Sequence, residues 1–145
     1  MLQVRTGNSI NPDAAAAGKE IAAQVKENLS DMKMAFVYSG VQYDQKKLLD
    51  AVKEELPGVP LIGNTSFTGV VTPEGYITGE DGFAGIMALS DADLTVGVAG
   101  MPKEGTARET GHKVAEKAMK AAGKDEAPAY FYMSAPSGEE EYYLK

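Results

Sequence analysis

The residues best suited to chemistry stand together in Gly63-Asn64-Thr65-Ser66-Phe67-Thr68-Gly69. Hydroxyls and a carboxamide donate and accept hydrogen bonds, and the flanking glycines let backbone approach a ligand closely. The stretch follows a short buried strand expected over Val59 to Gly63. It therefore reads as a polar loop at a strand's carboxyl end, a favoured ligand position in α/β folds. A crossover between strands that is rich in turn formers has the same composition. The segment lacks the Gly-Lys-Ser/Thr ending of a phosphate-binding loop. Ser39-Gly40 and Ser134-Ala135-Pro136-Ser137-Gly138 close two further expected strands. With Gly63, Asn64, Thr65, Ser66 and Thr68, residues Ser39 and Ser134 would line one ligand pocket; ordinary loop chemistry accounts for each segment taken alone. Tyr38, Tyr43, Tyr130 and Tyr132 would bring phenols near such a pocket, or pack in half-buried strands.

Catalysis is a competing use of these groups. Ser66 or Thr65 would serve a hydrolase or transferase as nucleophile, with a general base supplied from elsewhere in the fold. Glu80 and Asp81 offer paired carboxylates, but an Asp-Gly connection between strands explains them better. No calcium-loop pattern or Glu/His cluster marks a cation site. With no cysteine in the chain, disulfides, thiolate metal sites and cysteine nucleophiles are excluded. His112 is the single histidine, so a catalytic triad, an imidazole-bound metal or a haem iron would each have to use it. On its helix it lies about 90° from the centre of the apolar stripe, at ~100° per residue, on a flank beside Arg108 and Met119.

Leu2 to Thr6 alternates as a strand does. Asn11-Pro12-Asp13 starts a helix with Asn11 as cap and an inward stripe of Ala14, Gly18, Ile21, Ala22, Val25 and Leu29. Small residues at its start would let that turn approach a sheet. Met34 to Ser39 is a buried strand. Asp44 caps a second helix facing inward through Leu48, Leu49, Val52 and Leu56, ended by Pro57-Gly58. The period then falls to two, with strands expected over Thr68 to Thr72, Tyr76 to Thr78, Phe83 to Leu89 and Leu94 to Ala99, and a turn at Thr72-Pro73-Glu74-Gly75. Thr106 to Glu109 is a capping box. The helix behind it would bury Ala107, Gly111, Val114, Ala115, Ala118 and Ala122. Ala129 to Ser134 is a last apolar strand, and Glu139-Glu140-Glu141 suits the first turn of a further helix.

These elements repeat. Leu2-Gln3-Val4 matches Leu94-Thr95-Val96, Ala17-Gly18-Lys19-Glu20-Ile21-Ala22 matches Thr110-Gly111-His112-Lys113-Val114-Ala115, and Ala35-Phe36-Val37-Tyr38-Ser39 matches Ala129-Tyr130-Phe131-Tyr132-Met133. The pattern predicts an α/β fold, a mixed β-sheet flanked by helices, built from two related β-α-β units. Amphipathic patterning shared by any strand-helix-strand unit produces part of the match. The second copy lacks the continuation that the first has after its second helix, so residues 1–145 read as one domain that is part of a longer protein, its second unit truncated. A net charge of -7 repels phosphate backbones and argues against nucleic acid. No run reaches the ~18 apolar residues of a membrane span, and Met1-Leu2-Gln3-Val4-Arg5 is not a secretory signal. A protein in the cytoplasm is expected.

Val59-Pro60-Leu61-Ile62-Gly63-Asn64-Thr65-Ser66, a glycine-punctuated stretch and then Phe83-Ala84-Gly85-Ile86-Met87-Ala88-Leu89 resemble the N-terminal FIST domain. That family shows an apolar strand running into a Gly-Cys-Thr-Ser type loop, then a strand with an Ala-Leu ending. Val37-Tyr38-Ser39, Leu48-Leu49 and Gly111-His112-Lys113-Val114-Ala115-Glu116 fit in order, so the resemblance spans essentially the whole chain. Asn64 stands where the family often has cysteine, and Phe67-Thr68-Gly69-Val70 where a small residue, glycine, glutamate and an apolar residue are common. The resemblance implies a cytoplasmic input module of bacterial signal transduction. Its ligand would be an amino acid or similar small metabolite, read out by a downstream signalling domain or protein, with no catalytic residues of its own. Haem-based gas sensing, implied by some members, would rest on His112. An oligomerisation scaffold, pairing an exposed sheet edge with another chain, is the remaining alternative.

Overall fold

The computed structural model describes residues 1–145. Chain contacts divide it into two compact units, Met1–Leu94 and Thr95–Lys145.

In the first unit, strand β1 (Gln3–Ser9) leads to helix α1 (Ala14–Lys26), strand β2 (Met34–Gly40) and helix α2 (Gln45–Glu55). Strands β3 (Leu61–Ser66), β4 (Val70–Thr72), β5 (Gly75–Ile77) and β6 (Ala84–Ser90) follow. The main sheet runs β1-β6-β2-β3, with β4 and β5 in a separate hairpin. Strand β6 is antiparallel to both β1 and β2, while β2 and β3 are parallel. The last strand of the unit is thus wedged between the first two. The mixed α/β architecture is the one expected.

Helix α1 starts later than its Asn-Pro signal suggested. Asp13 is the cap, its carboxylate accepting from the Ala16 amide at 2.7 Å. Asn11 is engaged beforehand: its side-chain oxygen accepts from the Asp13 amide, and its Nδ2 donates to Glu20. Asp44 caps α2 as expected, accepting from the Lys46 and Lys47 amides. The expected inward stripes pack one core, in which Ile21, Ala22, Val25, Leu48 and Val52 are wholly buried with Ala35, Val37, Ala84, Ile86 and Ala88. At roughly 1.5–3 kcal/mol for each large aliphatic side chain buried, this core dominates the unit's stability.

Gly18 brings α1 against α2 rather than against the sheet. A Cβ there would stand 2.5 Å from the Leu48 carbonyl oxygen. The close approach of α1 to the sheet falls to Gly7 of β1, where a Cβ would meet the Ile21 carbonyl oxygen at 2.7 Å.

The second unit holds helix α3 (Ala107–Ala122) and the single turn α4 (Glu140–Tyr143). The capping box forms as read: Thr106 accepts from the Glu109 amide and the Glu109 carboxylate returns to the Thr106 amide. Gly123 ends the helix in the left-handed region, φ 65°. Two expectations fail. Segments Leu94 to Ala99 and Ala129 to Ser134 join no sheet. On α3, only Ala107 and Thr110 are buried, leaving Gly111, Val114, Ala115, Ala118 and Ala122 half-covered. A strand is a ladder, not a local conformation. In the first unit the counterparts β1 and β2 bond to β6 rather than to each other, and the second unit has no strand in that place.

Candidate functional site

Strands β1, β2 and β3 point the same way, so Ser9, Ser39-Gly40 and Thr65-Ser66 share the carboxyl edge of the first unit's sheet. The β3 ladder extends further than the apolar run suggested. It pairs Asn64 with Tyr38, Thr65 with Ser39 and Ser66 with Gly40, so Asn64, Thr65 and Ser66 are strand residues, and only residues 67–69 turn. Parallel pairing carried past Gly63 explains the shift, since backbone bonding to β2 is indifferent to the polarity of the side chains.

The structure sorts these residues by exposure. Asn64, Thr65 and Thr68 are exposed, and Ser66 is half-buried. Ser66 donates its hydroxyl to the Gly69 carbonyl, and Thr78 donates to the Thr68 carbonyl at 2.7 Å. Both bonds pin the turn that carries Phe67, which is 86% exposed. At Gly63 there is no space for a side chain: a Cβ would collide with the Val37 carbonyl. Ser39 is 2% exposed and donates to Gln45 Oε1 at 2.7 Å, while Gln45 Nε2 donates to the Gly40 and Tyr43 carbonyls. Ser39 therefore braces the β2–α2 connection beside the exposed Thr65. Ser134 lies in the second unit, where it is exposed at the wall of a cavity.

Behind the edge stands a polar bracket that sequence reading found only in part. The Tyr43 hydroxyl donates to the Asn11 carbonyl at 2.5 Å, and its ring packs on Gly82, where a Cβ would stand 2.1 Å from the ring's Cε1. Burial raises the Tyr43 pKa above its usual value, and the nearby Glu20 and Asp13 charges add to the rise. Glu20 accepts from Ser9 and from Asn11. Tyr43 was recognisable as a phenol near the site. Gln45 and Glu20 carried no local signal, because their partners lie in other segments.

The family model for the FIST N domain matches residues 33–145, more than half the chain. The chain belongs to the FIST N family. No curated protein matches it. FIST domains are sensory domains of signal transduction. The two phrases that carry the resemblance form β3 and β6, the strands on either side of β2. The family's common cysteine position is thus the exposed Asn64, opposite Tyr38 on the ladder. His112, on which haem would rest, has a side chain 73% exposed, and its Nδ1 lies 3.5 Å from Glu116 on the same helix. No helix of this FIST N chain is long and apolar enough to cross a membrane.

Proposed function

We propose that this FIST N chain is a ligand-binding input module, and that an amino acid or similar small metabolite binds at the carboxyl edge of the first unit's sheet. The observation that carries this reading is the exposure of Asn64, Thr65 and Thr68 on a braced scaffold. They stand at the end of the parallel β2–β3 ladder, and their neighbours Ser66 and Ser39 are tied down by Gly69 and Gln45. Asn64 and Thr65 hydrogen-bond the ligand, Gly63 sets the approach of β3 to β2, and Ser39 and Ser66 hold the frame. Ser134 stands in the second unit at the position that the repeat matches to Gly40. Binding favours one conformation over another, which a downstream domain or partner protein reads.

A thermal-shift screen with amino acids tests the reading. A ligand at about 100 times its Kd stabilises by ~2.7 kcal/mol, or several degrees in a domain of this size. Asn64→Ala with Thr65→Ala should abolish the shift and leave the unliganded Tm unchanged. A shift that survives in the double variant would sink this site.

A further inference from the structure

Strands β1 and β3 are the edges of the main sheet. Which peptide groups of β1 face outward follows from the ladder. The Phe83 carbonyl accepts from the Gly40 amide and the Leu89 carbonyl from the Lys33 amide, so Phe83, Gly85, Met87 and Leu89 bond towards β2. Alternation leaves Ala84, Ile86, Ala88 and Ser90 to bond towards β1, opposite Ser9, Gly7, Arg5 and Gln3. Val4, Thr6 and Asn8 therefore turn their amides and carbonyls away from the sheet.

Two side chains already occupy that edge. Gln24 of α1 accepts from the Asn8 amide at 3.0 Å through Oε1 and donates from Nε2 to the Asn8 carbonyl at 2.8 Å. A carboxamide held this way reproduces both bonds of a facing strand residue. Arg5 Nη1 donates to the Val4 carbonyl at 2.8 Å. The reach of Gln24 depends on Gly7, where a Cβ would stand 3.0 Å from the Gln24 Cβ as well as against the Ile21 carbonyl. Between the two side chains lie the outward amide and carbonyl of Thr6.

We propose that the outer edge of β1 is a self-pairing surface held shut by Gln24, and that the strand it excludes is β1 of a second copy, running antiparallel. A two-fold axis through Thr6 sets Thr6 against Thr6, Val4 against Asn8 and Arg5 against Gly7 of the second copy. Every outward peptide group then meets its complement, and the two Arg5 charges do not oppose each other. The Arg5 side chain is bonded only to its neighbour's carbonyl and yields to an incoming strand. Gln24 is anchored on a helix sixteen residues along the chain from Asn8, and it does not. A helix side chain laid on a strand edge is one way that proteins avoid edge-to-edge association.

Sedimentation velocity of the full chain tests this. The native chain should sediment as a monomer, and Gln24→Ala as a dimer at the same concentration. The Thr6 amide of Gln24→Ala should exchange at least about tenfold more slowly than that of the native chain, because in the dimer it bonds its counterpart. Adding Thr6→Pro removes the outward amide, a change that edge strands tolerate, and should return Gln24→Ala to the monomer. A Gln24→Ala chain that stays monomeric would overturn the proposal. So would a dimer that leaves Thr6 exchange unchanged or survives Thr6→Pro.

Discussion

Helices α1 and α3 carry the same stripe at the same spacing, yet they meet different fates. Ile21 and Val25 of α1 are wholly buried; their counterparts Val114 and Ala118 on α3 are half-covered. Both helices are well capped, α1 by Asp13 and α3 by a reciprocal capping box with a left-handed glycine at its end. Local signals alone do not bury a helix. What differs is the cover: α1 has α2 along its flank and β6 within its sheet, whereas α3 has one turn of α4. Amphipathic pattern states a demand for burial, and only tertiary partners meet it.

The contrast can be broken at the paired positions. Ile21→Ala should cost about 2–5 kcal/mol, as large-to-small changes in closed cores do. Val114→Ala should cost under about 1 kcal/mol, because a half-exposed methyl pair leaves no sealed cavity. Urea unfolding measures both, and equal losses would show that α3 is as well packed as α1.

Gly18→Val and Gly111→Val sharpen the comparison. Each would force a side chain onto a carbonyl of the following helix, a clash worth about 1–3 kcal/mol. The first should lower global stability, since α2 closes the main core. The second should only release α4, seen as faster amide exchange at residues 140–143 with an unchanged urea midpoint.

The smallest effects concern pH. The Tyr43 phenol holds its proton more tightly in the fold than in the unfolded chain. Its contribution is complete below the ordinary tyrosine value of about 10 and is lost as pH rises through the higher folded value. Tyr43→Phe should remove that alkaline sensitivity at a cost of about 1 kcal/mol at neutral pH. Glu109 behaves oppositely. The hydrogen bonds from the Thr106 amide and then its hydroxyl hold the carboxyl below its ordinary value. The cap is fully formed above about 4.3 and weakens as pH falls through the lower folded value. Titrating the Glu109 carboxyl by NMR should find it below the ordinary glutamate value of about 4.3; a value at or above that would contradict the capping box.

The parts of the fold legible in sequence were those whose cause is local. Asp44 and Thr106 cap helices because their acceptors reach amides two or three residues away, and the stripe of α1 emerged from its spacing. Position errors arose where a residue had a distant partner. Asn11 resembled a cap but serves Glu20, and Gly18 resembled a glycine for a sheet but meets α2. The strands expected at Leu94 to Ala99 and Ala129 to Ser134 had the right composition and lacked a ladder. At the candidate site, residue types indicated the correct stretch but not exposure. Ser39 and Asn64 looked equivalent as polar strand-end groups, and one is sealed by Gln45 while the other faces solvent.

The wedged position of β6 has a consequence for the ribosome. Strands β1 and β2 share no bond with each other; β2 also pairs with β3, but β1 bonds only to residues 84–90. A nascent chain that has emerged only through α2 can form helices but cannot zip β1 into any sheet. Pairing over long sequence separations is also the slow kind. The amino-terminal strand, first to leave the tunnel, is therefore among the last to be locked, and its edge stays open to other chains throughout that interval.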